Sequence, residues 1–368
     1  MLTILFYLFI AVVAGQFLYY VVIFGKFSFA KWTALPQKRV PISVIVCAKN
    51  EEDNVKEFVP LLMQQDYPDF EVVLIDDASS DETLELFEAY EKQYPNIKLV
   101  KVQNNEAFWG NKKFALTLGI KAAKNEYLLF TDADCYPAST QWIKEMSSQF
   151  SAQKTIVLGY GAYEKTKNSL LNKLIRYETL FTAVSCFSWA KLGKPYMGVG
   201  RNLAYKKDEF FRVRGFMDHM KIRSGDDDLF INQAATGSNT TVCFSPDGFT
   251  YSKPKTSFKS WFAQKRRHVA TASYYKGIDK FHLGVFYILQ LLFLLLPIVL
   301  LAFQFEWIIV LSLLAFRYTF TWISLGFAAG KLKEKDVMYW YPFLEIVLII
   351  TQFNLFISSM FSKPVHWK

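Results

Sequence analysis

Several stretches of this chain carry side chains suited to chemistry. Asp132 and Asp134 stand one residue apart in Tyr127-Leu128-Leu129-Phe130-Thr131-Asp132-Ala133-Asp134-Cys135, at the end of an apolar run that reads as a buried strand. Paired carboxylates there suit a hard divalent ion, Mg2+ or Mn2+, which takes oxygen ligands and keeps positions open for phosphate. A polar turn with aspartates capping backbone amides is the alternative. Asp76-Asp77 closes an earlier apolar run, where a carboxylate can accept a base N–H or a ribose hydroxyl. Just beyond it, Ser79, Ser80 and Asp81 suit the start of a helix. Ser224-Gly225-Asp226-Asp227-Asp228-Leu229 sets acids side by side. Their repulsion raises at least one pKa while a helix N-terminus lowers it; an acidic first helical turn is the purely structural alternative. Lys112 follows Trp109-Gly110-Asn111 at a helix start, where a cation can meet a diphosphate or simply be solvated.

The elements that must position these groups alternate. Residues 41–47 read as a buried strand, Glu51-Glu52-Asp53-Asn54 opens a helix to about residue 65, and residues 70–75 form a second strand. A helix over 82–94, a strand over 97–103 and a helix over 112–123 lead to the strand ending at Asp132. Such alternation predicts an α/β fold with a mostly parallel, Rossmann-like sheet covered on both faces. In such sheets the carboxyl ends of the strands face the ligand crevice, so the two acidic clusters should meet at one edge. The second half is less regular. It predicts a strand over 156–162, a helix over 169–191 lying on a membrane or on the domain, a helix over 226–235, short strands at 240–244 and 249–252, and a basic amphipathic helix over 257–275.

Hydrophobic residues make up 52% of the 368 and aromatics 17%, with 35 Phe. That exceeds ordinary soluble composition and points to a membrane protein. Residues 2–24 are apolar enough to span a bilayer, and bulky Phe17, Leu18, Tyr19 and Tyr20 near their end predict an uncleaved anchor rather than a signal peptide. Spans are expected near 283–303, 307–328 and 339–361. Lys26, Lys31, Lys38 and Arg39 after the first span, and Lys331, Lys333 and Lys335 between the last two, put the intervening domain in the cytoplasm. The expected layout is an anchor (1–25), an α/β domain (40–255), an interfacial helix (256–280) and three spans (283–361). The net charge of +9 fits anionic lipid, and no zinc pattern or basic helix-turn-helix supports nucleic acid. Cys47, Cys135, Cys186 and Cys243 are far apart, which fits a reducing compartment.

Taken together, Ser43–Glu51, Asp76-Asp77-Ala78-Ser79, Lys112-x-x-Ala115-Leu116 and Asp132-x-Asp134 resemble the nucleotide-sugar domain of membrane-bound family 2 glycosyltransferases. The branch includes the cellulose, hyaluronan and poly-N-acetylglucosamine synthases. The resemblance implies a GT-A fold, a nucleoside-diphosphate-sugar donor (often UDP-linked), Mg2+ or Mn2+, and inversion at the anomeric carbon. It implies donor contacts at Ala48, Glu51, Asp77, Lys112 and Asp132, with Asp77 on the base and Lys112 on the diphosphate, and metal ligation by Asp134 assisted by Asp132. An inverting transfer needs a general base. Asp226 is the first candidate, because Leu229 matches the family's Glu-Asp-x-x-Leu pattern; a Gly-Asp-Asp match leaves Asp227 open. Gly198 to Tyr205 resembles the acceptor-side segment, implicating Gly200 and Asn202. Gln264-Lys265-Arg266-Arg267-His268 resembles Gln-x-x-Arg-Trp, adding Gln264 and Arg267 on the donor side and His268 on the acceptor side; an interfacial anchor helix is the alternative.

These residues predict an inner-membrane glycosyltransferase with a lipid-linked or polysaccharide acceptor, and leave room for a homo-oligomer or an export partner. The alternative is a processive synthase, disfavoured by His268 where polymer-making relatives carry tryptophan. Ala48-Lys49-Asn50-Glu51-Glu52 lacks the glycines of a nucleotidyltransferase loop. A non-catalytic adaptor would be expected to lose the paired acids, which are intact. Arg317 and Glu345 fall inside spans, where buried charges pair.

Overall fold

The computed structural model describes residues 1–36, 38–103, 112–222 and 224–361. Trp109-Gly110-Asn111 lie outside the described residues. The chain begins with α1 (Leu2–Phe17), a π-helical stretch (Leu18–Ile23) and α2 (Gly25–Ser28). Then come β1 (Ile42–Ala48), α3 (Glu52–Met63), β2 (Phe70–Asp76), α4 (Thr83–Gln93), β3 (Ile97–Lys101), α5 (Lys112–Ala122) and β4 (Tyr127–Asp132). β5 (Cys135–Pro137), α6 (Trp142–Ser148), β6 (Ile156–Leu158), β7 (Gly161–Tyr163) and α7 (Leu170–Lys191) follow. The remainder is β8 (Leu203–Lys206), α8 (Lys207–Arg212), α9 (Asp228–Ala234), β9 (Thr240–Val242), β10 (Thr250–Ser252), α10 (Phe258–Thr271), α11 (Gly277–Ala302), α12 (Trp307–Lys331) and α13 (Tyr341–Phe361).

Two compact units result. The α/β unit takes Trp32–Lys165 and Gly193–Lys255. Its main sheet, among the described residues, has the order β3-β2-β1-β4-β8-β6-β9. β1, β2, β3 and β4 run parallel, while β8 is antiparallel to both β4 and β6. β1 reads Ile-Ser-Val-Ile-Val-Cys-Ala and is buried nearly throughout, as a strand covered on both faces must be. Val44, Val46, Val55, Val59, Leu62, Val72, Leu74, Phe87 and Trp142 fill one core. β1 is flanked by β2 and β4, so the chain reverses direction across the sheet there and opens a crevice at their carboxyl ends. β5, β10 and β7 form a second, smaller sheet.

The strand expected over 156–162 is instead two strands in different sheets. β6 pairs with β8 and β9, and the chain then leaves at Gly159-Tyr160 so that β7 can pair with β10. The apolar run conceals this break because both halves are buried.

The helical unit takes Met1–Lys31, Thr166–Leu192 and, among the described residues, 256–361. Among the described residues, helices over Leu2–Ser28, Gly277–Ala302, Trp307–Lys331 and Lys335–Ser358 are long and apolar enough to cross a membrane. α7 belongs to this unit, so residues 40–255 do not form one uninterrupted body. It buries Leu174, Ile175, Tyr177, Leu180, Phe181 and Val184 around its circumference, and is a core helix rather than an interfacial one. Arg176 Nε donates to Glu334 Oε2 (2.8 Å) and Nη1 to Asp336 Oδ2 (2.8 Å). The acids between α12 and α13 therefore fasten α7.

Arg317 and Glu345 do meet. The Arg317 Nη1 and Nη2 groups donate to Glu345 Oε2 and Oε1 at 2.6 Å each. Gln16 Oε1 and Tyr341 Oη accept further Arg317 donors, and Arg317 is fully buried. Such a pair persists in an apolar interior only with its donors filled.

Candidate active site

Strand register carries the acids to one edge. Ala48 is level with Asp76 across β1 and β2, and Cys47 is level with Asp132 across β1 and β4. Ala48, the last residue of β1, is buried and accepts the Asp77 amide through its carbonyl oxygen (2.9 Å). The loops beyond β1 and β2 are joined to each other. Asn50 N donates to Ser79 Oγ (3.1 Å) and Ser80 N to Asn50 Oδ1 (2.8 Å), with left-handed backbone at Asn50 and Ala78. Glu51 N donates to Thr83 Oγ1 (2.9 Å), and the Glu51 carboxylate accepts from Asn54 (2.7 Å). Asp81 caps as expected and serves both helices: it accepts from Thr83 N (3.1 Å) and from Glu52 N (3.3 Å).

Asp77 is 6% exposed, and its Oδ2 has no hydrogen-bond partner among the described residues. Burial pushes its pKa up, against the pull of Lys49. An unpaired buried carboxylate oxygen is costly, and a ligand N–H would remove that cost.

Asp132 ends β4, and Asp134 lies in the turn to β5. Ligand atoms of Asp132, Asp134 and Cys135 lie within 4.8 Å of one another. Burial, then Asp132 and Glu51, raise the Asp134 pKa. The Cys135 thiol is also raised by burial and donates to Asp134 Oδ1 (3.4 Å), so it orients the carboxylate as a protonated donor. Two converging carboxylates whose negative charges oppose one another fit a hard divalent cation, whereas a thiol does not.

A cation already adjoins this pair. Lys112 Nζ, at the start of α5, lies 2.7 Å from Asp132 Oδ1 and 3.1 Å from Asp226 Oδ2. Burial opposes its charge, but Asp132 and Asp226 outweigh burial and hold the ammonium well above its ordinary pKa. Asp226 is lowered in turn, because Lys112 overcomes the effect of burial. A small pocket lies here, lined by Cys47, Lys112, Thr131, Asp132, Asp226 and Asp227 among others.

The helix expected over 226–235 starts later, at Asp228, leaving Asp226 and Asp227 in the preceding turn. Gly225 makes that turn with a φ of 91°, a conformation L side chains rarely adopt. Asp227 accepts from Gly200 N at Oδ2 (2.7 Å) and from Asp228 N at Oδ1 (2.7 Å). Burial, then Asp226 and Asp228, push its pKa up to about 8 despite these donors. Gly200 leaves room for this approach: an added Cβ would lie 3.3 Å from Asp227 Oδ2, a tight contact.

Asn202 lies in the interior beside this turn. It is fully buried, accepts from Trp142 Nε1 (3.1 Å) and donates to the carbonyls of Tyr160 (3.0 Å) and Gly248 (2.8 Å). Its side-chain amide is thus hydrogen-bonded wholly within the fold. Gln264, Arg267 and His268 lie on α10, in the helical unit, and not in the α/β unit that gathers the acids. Gln264 Oε1 is buried with no hydrogen-bond partner among the described residues, Arg267 is half-buried and His268 exposed.

Two cations, the half-buried Arg201 and the buried Lys113, were not anticipated. Arg201 Nη1 donates to Ser252 Oγ (2.7 Å) and Ala162 O (3.1 Å), and its charge lowers the Asp134 pKa. Lys113, beside Lys112, reaches a different segment. The only hints were an arginine inside a Gly-rich apolar stretch and a lysine doublet.

The pattern of acids at the carboxyl ends of β1, β2 and β4 is matched in sequence. Residues 43–217 match Glycosyl transferase family 2. They form a domain of that family. The fold is GT-A: the mannosyltransferase PcManGT from Pyrobaculum calidifontis, solved with GDP-Man and Mn2+, superimposes with a TM-score of 0.59 at 19% identity, covering 90% of this chain and 99% of that one. A poly(ribitol-phosphate) beta-glucosyltransferase of Bacillus spizizenii is 32% identical over 120 residues, 32% of this chain and 18% of that protein. A poly-beta-1,6-N-acetyl-D-glucosamine synthase of Staphylococcus epidermidis is 33% identical over 93 residues, 25% of this chain and 21% of the relative. The chain spans between 16% and 64% of the length of such curated relatives.

Proposed function

We propose that this glycosyltransferase moves one sugar, with inversion, from a nucleoside-diphosphate-sugar to a hydroxyl of a lipid-linked or glycan acceptor at a membrane. The observation that carries this reading is the meeting of Asp132 and Asp226 on Lys112, beside Asp134, at the carboxyl edge of the sheet. The unpaired Asp77 Oδ2 accepts a base N–H, with Ala48 and Glu51 on the same side of the donor.

Asp132 and Asp134 would hold Mg2+ or Mn2+, which supplies charge neutralisation for the departing diphosphate. Asp226 is ionised, as a general base must be, and takes the acceptor hydroxyl proton as its oxygen attacks the anomeric carbon. Lys112 is the cation for which Asp226 and the diphosphate compete. Asp227 is the weaker candidate for base, because both its oxygens are engaged by backbone amides. Gly200 supports the acceptor side, and Gln264, Arg267 and His268 are assigned to the diphosphate and acceptor by family resemblance. Four apolar helices, with lysines after the first and between the last two, favour a multi-pass inner-membrane protein with a cytoplasmic α/β unit.

The test is nucleotide release by detergent-solubilised protein across a panel of UDP- and GDP-sugars, with and without Mn2+ or Mg2+ and with a membrane lipid extract. Metal-dependent release from one donor, lost in Asp134→Ala and Asp226→Asn and stimulated by lipid, is expected. Well-folded protein that binds neither nucleotide nor metal would return the fold to a non-catalytic role.

A further inference from the structure

Lys112 and Lys113 open α5, and neighbours on a helix project about 100° apart. While Lys112 meets the carboxylates, Lys113 is 1% exposed and its Nζ donates to the carbonyls of His219 (2.8 Å) and Ile222 (3.0 Å). Those carbonyls lie in the segment just upstream of Ser224 and Gly225, where the chain turns into the acids. The start of α5 therefore grips the acidic turn through Lys112 and its upstream approach through Lys113.

A buried ammonium is an expensive way to fill space. An apolar side chain of similar volume is often neutral or more stable there. Burial pulls the Lys113 pKa down to about 8, with Asp226, Asp228 and Asp227 only partly offsetting it. What the cation contributes is a fixed backbone: two carbonyls more than 100 residues away in sequence are held at hydrogen-bond distance.

We propose that Lys113 is a positioning residue that sets the approach of residues 217–222 and so the placement of Asp226 opposite Lys112. The proposal rests on the reading of Asp226 as the general base. Apart from Lys112, the proposed donor contacts Ala48, Glu51, Asp77 and Asp132 lie at the ends of β1, β2 and β4, so the effect of Lys113 falls on turnover.

The experiment compares full-length wild type with Lys113→Met and Lys113→Arg in detergent. Hydrogen exchange, calorimetric binding of UDP and GDP with Mn2+, and kcat and KM for nucleotide release are measured. In Lys113→Met, exchange should quicken at residues 217–222 and 224–228 while β1, β2 and β4 stay protected. Nucleotide affinity and donor KM should hold, and kcat should fall about 100-fold, as a displacement near 1 Å produces. Lys113→Arg should recover most of it. Unchanged exchange in those segments overturns the proposal. So does a parallel loss of affinity, kcat and thermal stability that arginine does not restore. The exchange measurement needs no turnover: wild type that binds no nucleotide sinks the glycosyl-transfer reading, whereas unaltered exchange sinks the role of Lys113.

Discussion

The Lys112 ammonium stands 3.1 Å from the Asp226 carboxylate, joining the start of α5 to the turn before α9. Because Asp132 lies 2.7 Å from the same ammonium, one cation couples the proposed metal carboxylates to the proposed base. Lys112→Met should therefore separate two properties. The acidic cluster loses a neutralising charge, so Mn2+ alone should bind more tightly by calorimetry. Nucleotide release should fall by roughly 10²–10³-fold, the cost of removing one charge-stabilising donor. Weaker Mn2+ binding would mean that Lys112 organises the site rather than competing within it.

Asn202→Ala tests whether that residue serves structure or substrate. The change removes the acceptor for Trp142 Nε1 and the donor for the Tyr160 and Gly248 carbonyls, all buried. Stability should drop by about 2–4 kcal/mol in denaturant titration, with nucleotide affinity retained by the folded fraction. A stable variant with lost acceptor use would place Asn202 on the acceptor side.

Arg317→Ala leaves Glu345 buried without its cation and should destabilise by about 3–5 kcal/mol in a detergent melt. Replacing both, as Arg317→Met with Glu345→Leu, should recover much of the loss. A folded Arg317→Ala protein that has lost only transfer to a lipid acceptor would make the pair part of an acceptor path.

Asp227 predicts a pH dependence of stability. Its folded pKa of about 8 lies above the ordinary carboxylate value, so its contribution is full below about pH 4 and is lost as pH rises through about 8. Asp227→Asn does not titrate. The melting temperature of the variant relative to wild type should rise steadily from pH 4 to pH 8, and a flat difference would mean that Asp227 is ionised throughout.

The acids at the strand ends were legible because apolar runs stop abruptly at Asp76 and Asp132, and parallel register then brings the stops together. The pairing of Arg317 with Glu345 was legible for a related reason: charge inside an apolar span has few ways to be satisfied. Other features depend on partners remote in sequence. Asn202 reads as a polar residue in a loop until Trp142 and the Tyr160 and Gly248 carbonyls are seen around it. Lys113 reads as a duplicate of Lys112 until its carbonyl partners, over 100 residues on, are known. Gly159-Tyr160 conceals a change of sheet because burial on both sides erases the usual polar signal.

The π-helical stretch over Leu18–Ile23 closes with Phe24 N donating to Tyr19 O (2.8 Å), one residue wider than an α-turn. Ser324 Oγ donates to the carbonyl of Tyr20 within that wide turn (2.6 Å), while Gln16, just before it, reaches Arg317. The extra residue sets the rotational phase between the two halves of the first apolar helix. Deleting one apolar residue there would turn Gln16 by about 100° relative to everything after it. The polar centre of the helical unit would come apart with every one of its polar side chains still present.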